Sequence, residues 1–396
     1  MSENKAAIFN WNKNQLYKLL YGLYHTKVPT MIWGNPGGGK TSTVNFLGST
    51  MKVPTEIRSG NKSDPTDFTG IPYLIGDEKD GKIIKFSEPK YVQIMKNNPD
   101  GILFFDEITT CAPIIQVALL SIIQDCRFGE FEIPQTIFRV AAGNYNNITG
   151  THNMSLALMN RFCHIFYDMN IDFFSEGFIS GWQNFEQCTI NSGQEQVDKI
   201  LKYRIAVVDF VKANPDFMNA FPKDGIASDP HEFAYPTPRS WEMVVKILSA
   251  LDKNESDYYE ELIKGCVGDS VGALFVKHIS EKKDNLFVDL NNYVGKEGTF
   301  FLPDPERHDQ VSHIMSSIVY YLEHDPNKYF ELWIRIINLL HNNEEKYGAY
   351  GSYDSLIMKY MKNNLNFLLG QKIIKPGDLA TLKNRIPCYE LLGLTG

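Results

Sequence analysis

The sequence of 396 residues contains little cysteine. Its six cysteines are scattered at positions 111, 126, 163, 188, 266 and 388, and no two of them form a Cys-x-x-Cys pair. This spacing matches neither a disulfide framework nor a structural zinc site. We therefore expect free thiols in a reducing compartment.

Long apolar runs are missing too. The longest covers residues 112–123 and is interrupted by Pro113, Gln116 and Ser121, whereas about 18 consecutive apolar residues are needed to span a bilayer. The N-terminal residues also lack the apolar centre of a secretion signal. These absences lead us to expect a cytoplasmic protein with no membrane partner.

The sequence has no excess of basic residues: its formal net charge is −8 at pH 7. An acidic chain argues against the broad basic surface that coats nucleic acid, so we expect no nucleic-acid partner. The remaining composition is that of a globular protein, with 43% hydrophobic residues, 25 Phe and 20 Tyr. A chain of this length can form two or three domains with buried cores.

The most informative stretch that is present has the form GxxxxGK followed by Thr, the pattern of a phosphate-binding loop. We predict that nine residues here bind a nucleotide: Gly34, Asn35, Pro36, Gly37, Gly38, Gly39, Lys40, Thr41 and Ser42. The glycines let backbone N–H groups surround a polyphosphate, while Lys40 reaches its β and γ oxygens and Thr41 holds Mg²⁺. Residues 28–33 form an apolar strand before this loop, and a helix is predicted after it.

A second apolar stretch, residues 102–105, ends in two carboxylates. A buried parallel strand would place Asp106 at its carboxyl end beside the phosphate loop, where it can bind Mg²⁺. Glu107 is then the natural general base for a water that attacks the γ-phosphate. A surface acid pair at the end of a strand is the alternative interpretation.

Another strand of small apolar residues ends at Asn144. If this strand lies beside the other two, the Asn144 amide can orient the attacking water. The alternative is an asparagine that only begins a turn, since Asn is common in turns.

Two arginines are candidates for contact with the γ-phosphate. Arg161 ends a predicted helix, where a cation is electrostatically favourable, so by itself it is also compatible with a structural role. Arg239 is more unusual, because it lies in the first turn of a helix that Thr237 and Pro238 begin. A cation there opposes the helix dipole. A phosphate partner explains this position, and a surface ion pair is the alternative.

Residues 61–64 read NKSD, which matches a guanine-reading pattern, and residues 67–70 match its companion DxxG. In GTPases the two patterns occur in the opposite order along the chain. Short patterns of this kind arise by chance, so we do not predict guanine specificity.

Five strands are predicted at residues 28–33, 53–58, 102–105, 137–142 and 164–167, and helices alternate with them. This order predicts an α/β domain with a mostly parallel five-stranded sheet over residues 1–170. Helical patterns dominate afterwards, and we predict an α-helical domain at 171–278 and a mostly helical region of unknown role at 279–396.

Taken together, these stretches resemble the AAA+ ATPases, and within them the MoxR-like branch found in phages and bacteria. The resemblance covers residues 28 to about 275 and is carried by GNPGGGKTS, DPTDFTGIP, ILFFDEI, RFGEFEIP, VAAGN, LALMNRF and TPRSW. It implies the AAA+ P-loop fold, ATP and Mg²⁺ as ligands, and an α-helical lid at residues 171–278.

The resemblance also implies roles for the site residues. Asp106 and Glu107 would form Walker B, Asn144 would be sensor 1, Arg161 the finger that enters a neighbouring subunit's site, and Arg239 the sensor 2 of the lid. Two hairpin-like insertions, at 73–86 and 126–138, correspond to segments that line the central pore in relatives.

For the assembly, the resemblance implies a homo-oligomeric ring, usually a hexamer, that remodels or matures a protein client. Members of this branch commonly work with a partner that has a von Willebrand factor A domain, and for this chain such a partner would be a separate protein. Two alternatives remain open at this point: an AAA+ motor stimulated by nucleic acid, and an ATP-gated assembly scaffold with incidental turnover.

Overall fold

The computed structural model describes residues 13–60, 63–76, 82–144, 154–167, 171–180, 186–222, 233–252, 256–281 and 326–342, together with 318, 321, 322 and 369. The chain divides into two compact units, residues 1–281 and 282–396. The finer division at residues 170 and 278 stays a prediction. In the part of the chain that the structure describes, no helix combines the length and apolar character that crossing a membrane requires.

Strands and helices alternate through the first half of the first unit. In chain order the elements are α1 (Lys13–Thr26), β1 (Thr30–Trp33), α2 (Lys40–Met51), β2 (Thr55–Ser59), α3 (Pro65–Thr69), β3 (Pro72–Ile75), β4 (Ile83–Phe86), α4 (Lys90–Asn97), β5 (Ile102–Asp106), α5 (Pro113–Asp125), β6 (Arg127–Phe128), β7 (Phe131–Glu132), β8 (Phe138–Gly143), α6 (Leu156–Met159) and β9 (Cys163–Phe166). Helices then follow: α7 (Ile171–Ser180), α8 (Gly193–Ala213), α9 (Pro238–Ala250), α10 (Ser256–Val267) and α11 (Asp269–Glu281).

Five strands form one parallel sheet in the order β2-β5-β8-β1-β9. The three central strands are buried almost throughout, which explains why their sequences are continuous apolar runs rather than alternating ones. The predicted fold class is confirmed: a five-stranded parallel sheet with helices and a P-loop, followed by further helices.

The sheet order brings three chemically important chain segments to one edge. Trp33, the last residue of β1, is in register with Gly143 at the end of β8, and Phe105 of β5 is in register with Ala141 of β8. Because the strands are parallel, the segments that follow all three of them leave the sheet at its carboxyl edge. The phosphate loop follows β1, Asn144 follows β8, and the acid pair begins with Asp106, the last residue of β5.

Two small hairpins project from the chain between elements of the sheet. β3 and β4 pair antiparallel within the predicted insertion at 73–86, and β6 and β7 pair within the one at 126–138. The β3–β4 hairpin exposes its large apolar side chains, including Leu74 at 63% and Ile84 at 58%. An isolated two-stranded hairpin with uncovered apolar side chains is not stabilised by a core of its own.

Helix α9 begins as the sequence predicts, with Thr237 as the N-cap and Pro238 in the first turn. Thr237 accepts a hydrogen bond from the Ser240 amide, and the Ser240 hydroxyl accepts one from the Thr237 amide. This reciprocal capping fixes the direction in which the first turn leaves the preceding loop.

The second unit contains a helix that we name α12, Pro326–Asn342. Trp333, Ile336 and Ile337 are buried in it. Their positions, three and four residues apart, give the helix one apolar face, as expected for a helix that packs against a core.

Candidate active site

The phosphate loop turns from β1 into α2 through glycines with positive φ. Gly37 has φ 77° and Gly39 has φ 83°, a region that residues with a Cβ rarely adopt. The amides at the start of α2 have no acceptor within the helix and carry the positive end of its dipole. This loop and helix start therefore form a site for an anion.

Lys40 is almost fully buried beside this loop. Its Nζ donates to the carbonyl oxygens of Gly34 at 2.7 Å and Asn35 at 3.0 Å, and to the Asn144 Oδ1 at 3.1 Å. Burial lowers the pKa of Lys40, while the nearby carboxylates of Asp106 and Glu107 act in the opposite direction. The amine thus joins the phosphate loop to the predicted sensor residue.

The predicted magnesium ligands are also brought together. The Thr41 hydroxyl donates to Asp106 Oδ2 at 2.7 Å. Hydroxyl and carboxylate oxygens are ligands that Mg²⁺ prefers, and their proximity fits a shared cation. Thr41 and Asp106 are therefore the residues that would hold Mg²⁺.

Glu107 has an unusual backbone conformation, with φ 54° and ψ 40°. Its amide donates to Asp106 Oδ1 at 3.0 Å, and its carbonyl oxygen accepts from the Thr110 hydroxyl at 2.8 Å. A Cβ on Gly60 would come within 2.5 Å of the same carbonyl oxygen, so only glycine fits there without a shift. Such left-handed conformations in non-glycine residues are concentrated at functional sites.

A cleft of about 360 Å³ lies between these groups. It is lined by Pro36, Gly37, Gly38, Gly39, Lys40, Thr41, Ser42, Asp106, Glu107, Ala142, Gly143 and Asn144. Most predicted nucleotide-binding residues, both predicted magnesium ligands, the predicted base and the predicted sensor thus share one cleft. Gly34 and Asn35 contribute instead through the carbonyl oxygens that hold Lys40.

The two predicted arginines are not among the residues that line this cleft. Arg161 donates to the carbonyl oxygen of Ala157, and Arg239 donates to Gln124 Oε1 at 3.1 Å. They lie close enough to interact: burial lowers the pKa of Arg161, and the positive charge of Arg239 lowers it further, against the Asp125 carboxylate. Two guanidinium groups thus share one surface, with neutral hydrogen-bond acceptors.

A buried hydrogen-bond network joins the segments that carry the two arginines. The Asn160 amide nitrogen donates to the Tyr235 carbonyl oxygen at 3.1 Å, and Asn160 Oδ1 accepts from the Thr237 hydroxyl at 2.9 Å. The Tyr235 hydroxyl donates to the Leu156 carbonyl oxygen at 2.8 Å. Sequence reasoning did not single out Asn160, although it directly precedes Arg161.

The guanine-like patterns have a structural explanation where the structure describes them. Asp64 caps α3 by accepting from the Thr66 amide, and the Asp67 carboxylate accepts from the Asp64 amide. These two carboxylates therefore stabilise the start of a short helix. Residues 61 and 62 of the pattern lie outside the described residues.

The sequence of residues 29–162 matches the family model of the AAA domain, dynein-related subfamily. This stretch is an AAA domain. It contains the phosphate loop, the acid pair, Asn144 and Arg161, whereas Arg239 follows it in the chain.

Two further comparisons accompany this match. Among solved structures, the chain is similar to a candidate ATPase from Cytophaga hutchinsonii, with 13% sequence identity and a TM-score of 0.43 over 69% of this chain and 91% of that one. A comparison with curated proteins gave no match.

Proposed function

We propose that this protein is an ATPase of the MoxR-like branch of the AAA+ proteins, which hydrolyses ATP between adjacent copies of a ring. The observation that carries the proposal is the convergence of Lys40, Asp106, Glu107 and Asn144 on the cleft above the phosphate loop. A binding module needs the loop and the lysine, but the acid pair and the amide are what hydrolysis requires in addition.

In this proposal the cleft binds the triphosphate on the amides at the start of α2. Lys40 exchanges its carbonyl acceptors in the loop for phosphate oxygens, since a charged amine prefers an anionic acceptor. Glu107 accepts the proton of the attacking water, and Asn144 orients that water. Thr41 and Asp106 would hold Mg²⁺, which would supply electrostatic stabilisation of the negative charge on the phosphates.

Arg161 and Arg239 belong, in this proposal, to the site of a neighbouring copy. The two cations repel each other beside the single Asp125 carboxylate, and the phosphates of a triphosphate would offset that repulsion further. Among the residues that the structure describes, no arginine lines the cleft of a copy. A head-to-tail ring, which the resemblance to AAA+ proteins suggests is a hexamer, would give every cleft the arginines of its neighbour.

In this proposal, the conformational change that hydrolysis drives remodels or matures a protein client. The exposed apolar side chains of the β3–β4 hairpin support this part of the proposal, because such a surface favours contact with protein. The candidate partner in this proposal is a protein with a von Willebrand factor A domain.

The experiment is to compare ATP binding and hydrolysis in the wild type and in Glu107→Gln. We expect the variant to bind ATP with unchanged affinity and to hydrolyse it about 10³-fold more slowly, because the amide cannot accept the proton. Glu281→Gln, which changes a surface partner of Lys277, is the control and should keep wild-type turnover. Normal turnover in Glu107→Gln would contradict the proposal.

A further inference from the structure

Tyr167 is a buried residue at the phosphate loop to which neither the sequence patterns nor the proposed chemistry assigns a role. It directly follows β9, the strand next to β1 in the sheet. Its amide donates to the Trp33 carbonyl oxygen at 2.8 Å, which extends the pairing of the two strands to the point where the loop begins. Only 1% of its surface is exposed.

The Tyr167 side chain packs against the loop itself. Its hydroxyl donates to the Gly38 carbonyl oxygen at 2.9 Å. A Cβ on Gly38 would lie 3.4 Å from the tyrosine ring, and one on Gly34 would come within 2.5 Å of the Tyr167 carbonyl oxygen. The loop therefore depends on glycine for close approach to this residue as well as for its backbone angles.

The hydrogen bond determines which way one peptide group of the loop faces. In a trans peptide the C=O of one residue and the N–H of the next point in opposite directions. When the Gly38 carbonyl oxygen is held by Tyr167, the Gly39 amide must face the other way. Gly38 and Gly39 both line the cleft, so this peptide borders the space in which a phosphate would bind.

We propose that Tyr167 is a positioning residue for the polyphosphate: its hydroxyl fixes the Gly38–Gly39 peptide so that the Gly39 amide donates to a phosphate oxygen. This inference rests on the proposed function, since it presupposes nucleotide in the cleft. In the absence of the hydroxyl the peptide is free to rotate, and its carbonyl oxygen can face the phosphates and repel them.

The test is Tyr167→Phe, which removes the hydroxyl and keeps the ring beneath the loop. We expect the Kd for ADP and the KM for ATP to rise about fivefold, which is the effect of losing one neutral hydrogen bond. We expect kcat to change by less than about twofold, because the hydroxyl does not contact the reacting atoms.

Tyr24→Phe is the matched control. Tyr24 is also buried and donates to a backbone carbonyl oxygen, that of Asp100, at 2.9 Å, but Asp100 precedes β5 at the opposite edge of the sheet. Both variants lose the same type of bond, so their thermal stabilities should fall by similar amounts. Only Tyr167→Phe should weaken nucleotide binding.

The outcomes separate the two proposals. If the wild type binds ADP and ATP but Tyr167→Phe matches its Kd and KM, or if Tyr24→Phe weakens binding equally, the role of Tyr167 is overturned. If the wild type binds neither nucleotide, the proposed function itself fails.

Discussion

Two regions of the first unit differ in how their charged side chains are compensated: the cleft, and the surface that carries Arg161 and Arg239, which we call the arginine surface. In the cleft, Lys40 has three oxygen acceptors and lies near two carboxylates, and Asp106 accepts a hydrogen bond from Thr41. On the arginine surface, the hydrogen-bond acceptors of Arg161 and Arg239 are neutral, and the two guanidinium groups repel each other beside the Asp125 carboxylate. The charged groups of the cleft thus compensate one another within the chain, whereas the two arginines of the other region place like charges side by side.

A buried histidine connects the chain segments behind these two regions. The Trp33 indole N–H donates to His164 Nδ1 at 2.8 Å, and His164 Nε2 lies 2.9 Å from the Met159 carbonyl oxygen. With Nδ1 as the acceptor, a neutral ring donates from Nε2. Trp33 leads into the phosphate loop and Met159 leads toward Arg161, so the neutral imidazole joins both.

The largest expected effect comes from Arg161→Ala. We expect kcat to fall about 10³-fold, because an arginine that stabilises phosphoryl transfer contributes at least that much. The Kd for ADP should stay unchanged, since Arg161 does not line the cleft of its own copy. Steady-state kinetics and titration measure the two effects, and Arg204→Ala, which removes a surface partner of Glu242, is the control. A weakened ADP Kd in Arg161→Ala would place the arginine in its own cleft.

The Lys40→Ala variant disrupts the cleft, the other of the two regions compared. Loss of a charged donor to phosphate should raise the Kd for ATP about 100-fold. Isothermal titration measures this change, with Lys277→Ala as the surface control. An unchanged Kd in Lys40→Ala would show that phosphate binds elsewhere.

The neutral state of His164, which joins the two segments, can be tested through the pH dependence of stability. Burial lowers its pKa to about 4, below the value of about 6.5 in an unfolded chain. The unfolded state therefore binds a proton first as pH falls, and this residue's contribution to stability is lost below about pH 6.5, down to pH 4.

Between pH 7 and pH 5 the loss should be about 2 kcal/mol. Denaturant unfolding of the wild type and of His164→Gln at both pH values measures it, because the glutamine cannot titrate. An equal pH dependence in the two proteins would show that His164 is not held neutral in the folded state.

Asn160 and Thr237 test whether the two arginines act as one unit. Asn160→Ala should lower kcat about tenfold, because small displacements of positioned groups are costly in catalysis. The double variant with Thr237→Val should lose less than the sum of the two single effects, since both remove the same contact. A double-mutant cycle on kcat measures this coupling.

Asn191→Ala is the matched control for that cycle. Asn191 is a buried amide that donates to the carbonyl oxygens of Ser249 and Leu251, away from the arginines. The Asn191→Ala variant should lose about as much stability as Asn160→Ala but keep a kcat near the wild-type value. A strictly additive cycle for Asn160 and Thr237 would argue against a joint unit.

The smallest effect is expected in the β3–β4 hairpin. Leu74→Ser and Ile84→Ser should each change stability by less than about 0.5 kcal/mol, because both side chains are already exposed. Phe104→Ala in the buried strand β5 should cost about 3–5 kcal/mol by comparison. Denaturant titration distinguishes the two, and a large loss in the hairpin variants would show that the hairpin is covered within its own chain.

The sheet could be predicted from the sequence to within a few residues. The strand predicted at 28–33 is Thr30–Trp33, and the one predicted at 102–105 is Ile102–Asp106. Buried parallel strands read as short apolar runs that end in polar residues, so the sequence carries their limits directly. The chemistry at their ends follows because parallel strands share a carboxyl edge.

Other contacts could not be predicted, because they depend on tertiary packing between distant residues. The Tyr167 hydroxyl and the Gly38 carbonyl oxygen are 129 residues apart in sequence, and Asn160 and Thr237 are 77 apart. Local periodicity contains no information on such pairs. The position of Tyr167 as the last residue of a predicted strand was the available signal, but interpreting it required the order of the strands in the sheet.

The most direct test of the account is to mix Arg161→Ala with Glu107→Gln and measure ATP hydrolysis. Each variant alone should be nearly inactive, and an equimolar mixture should recover about a quarter of the wild-type rate. That fraction is the chance that a cleft with Glu107 adjoins a copy with Arg161 in randomly assembled rings. A mixture that stays as inactive as its components would contradict hydrolysis at a site shared by two copies.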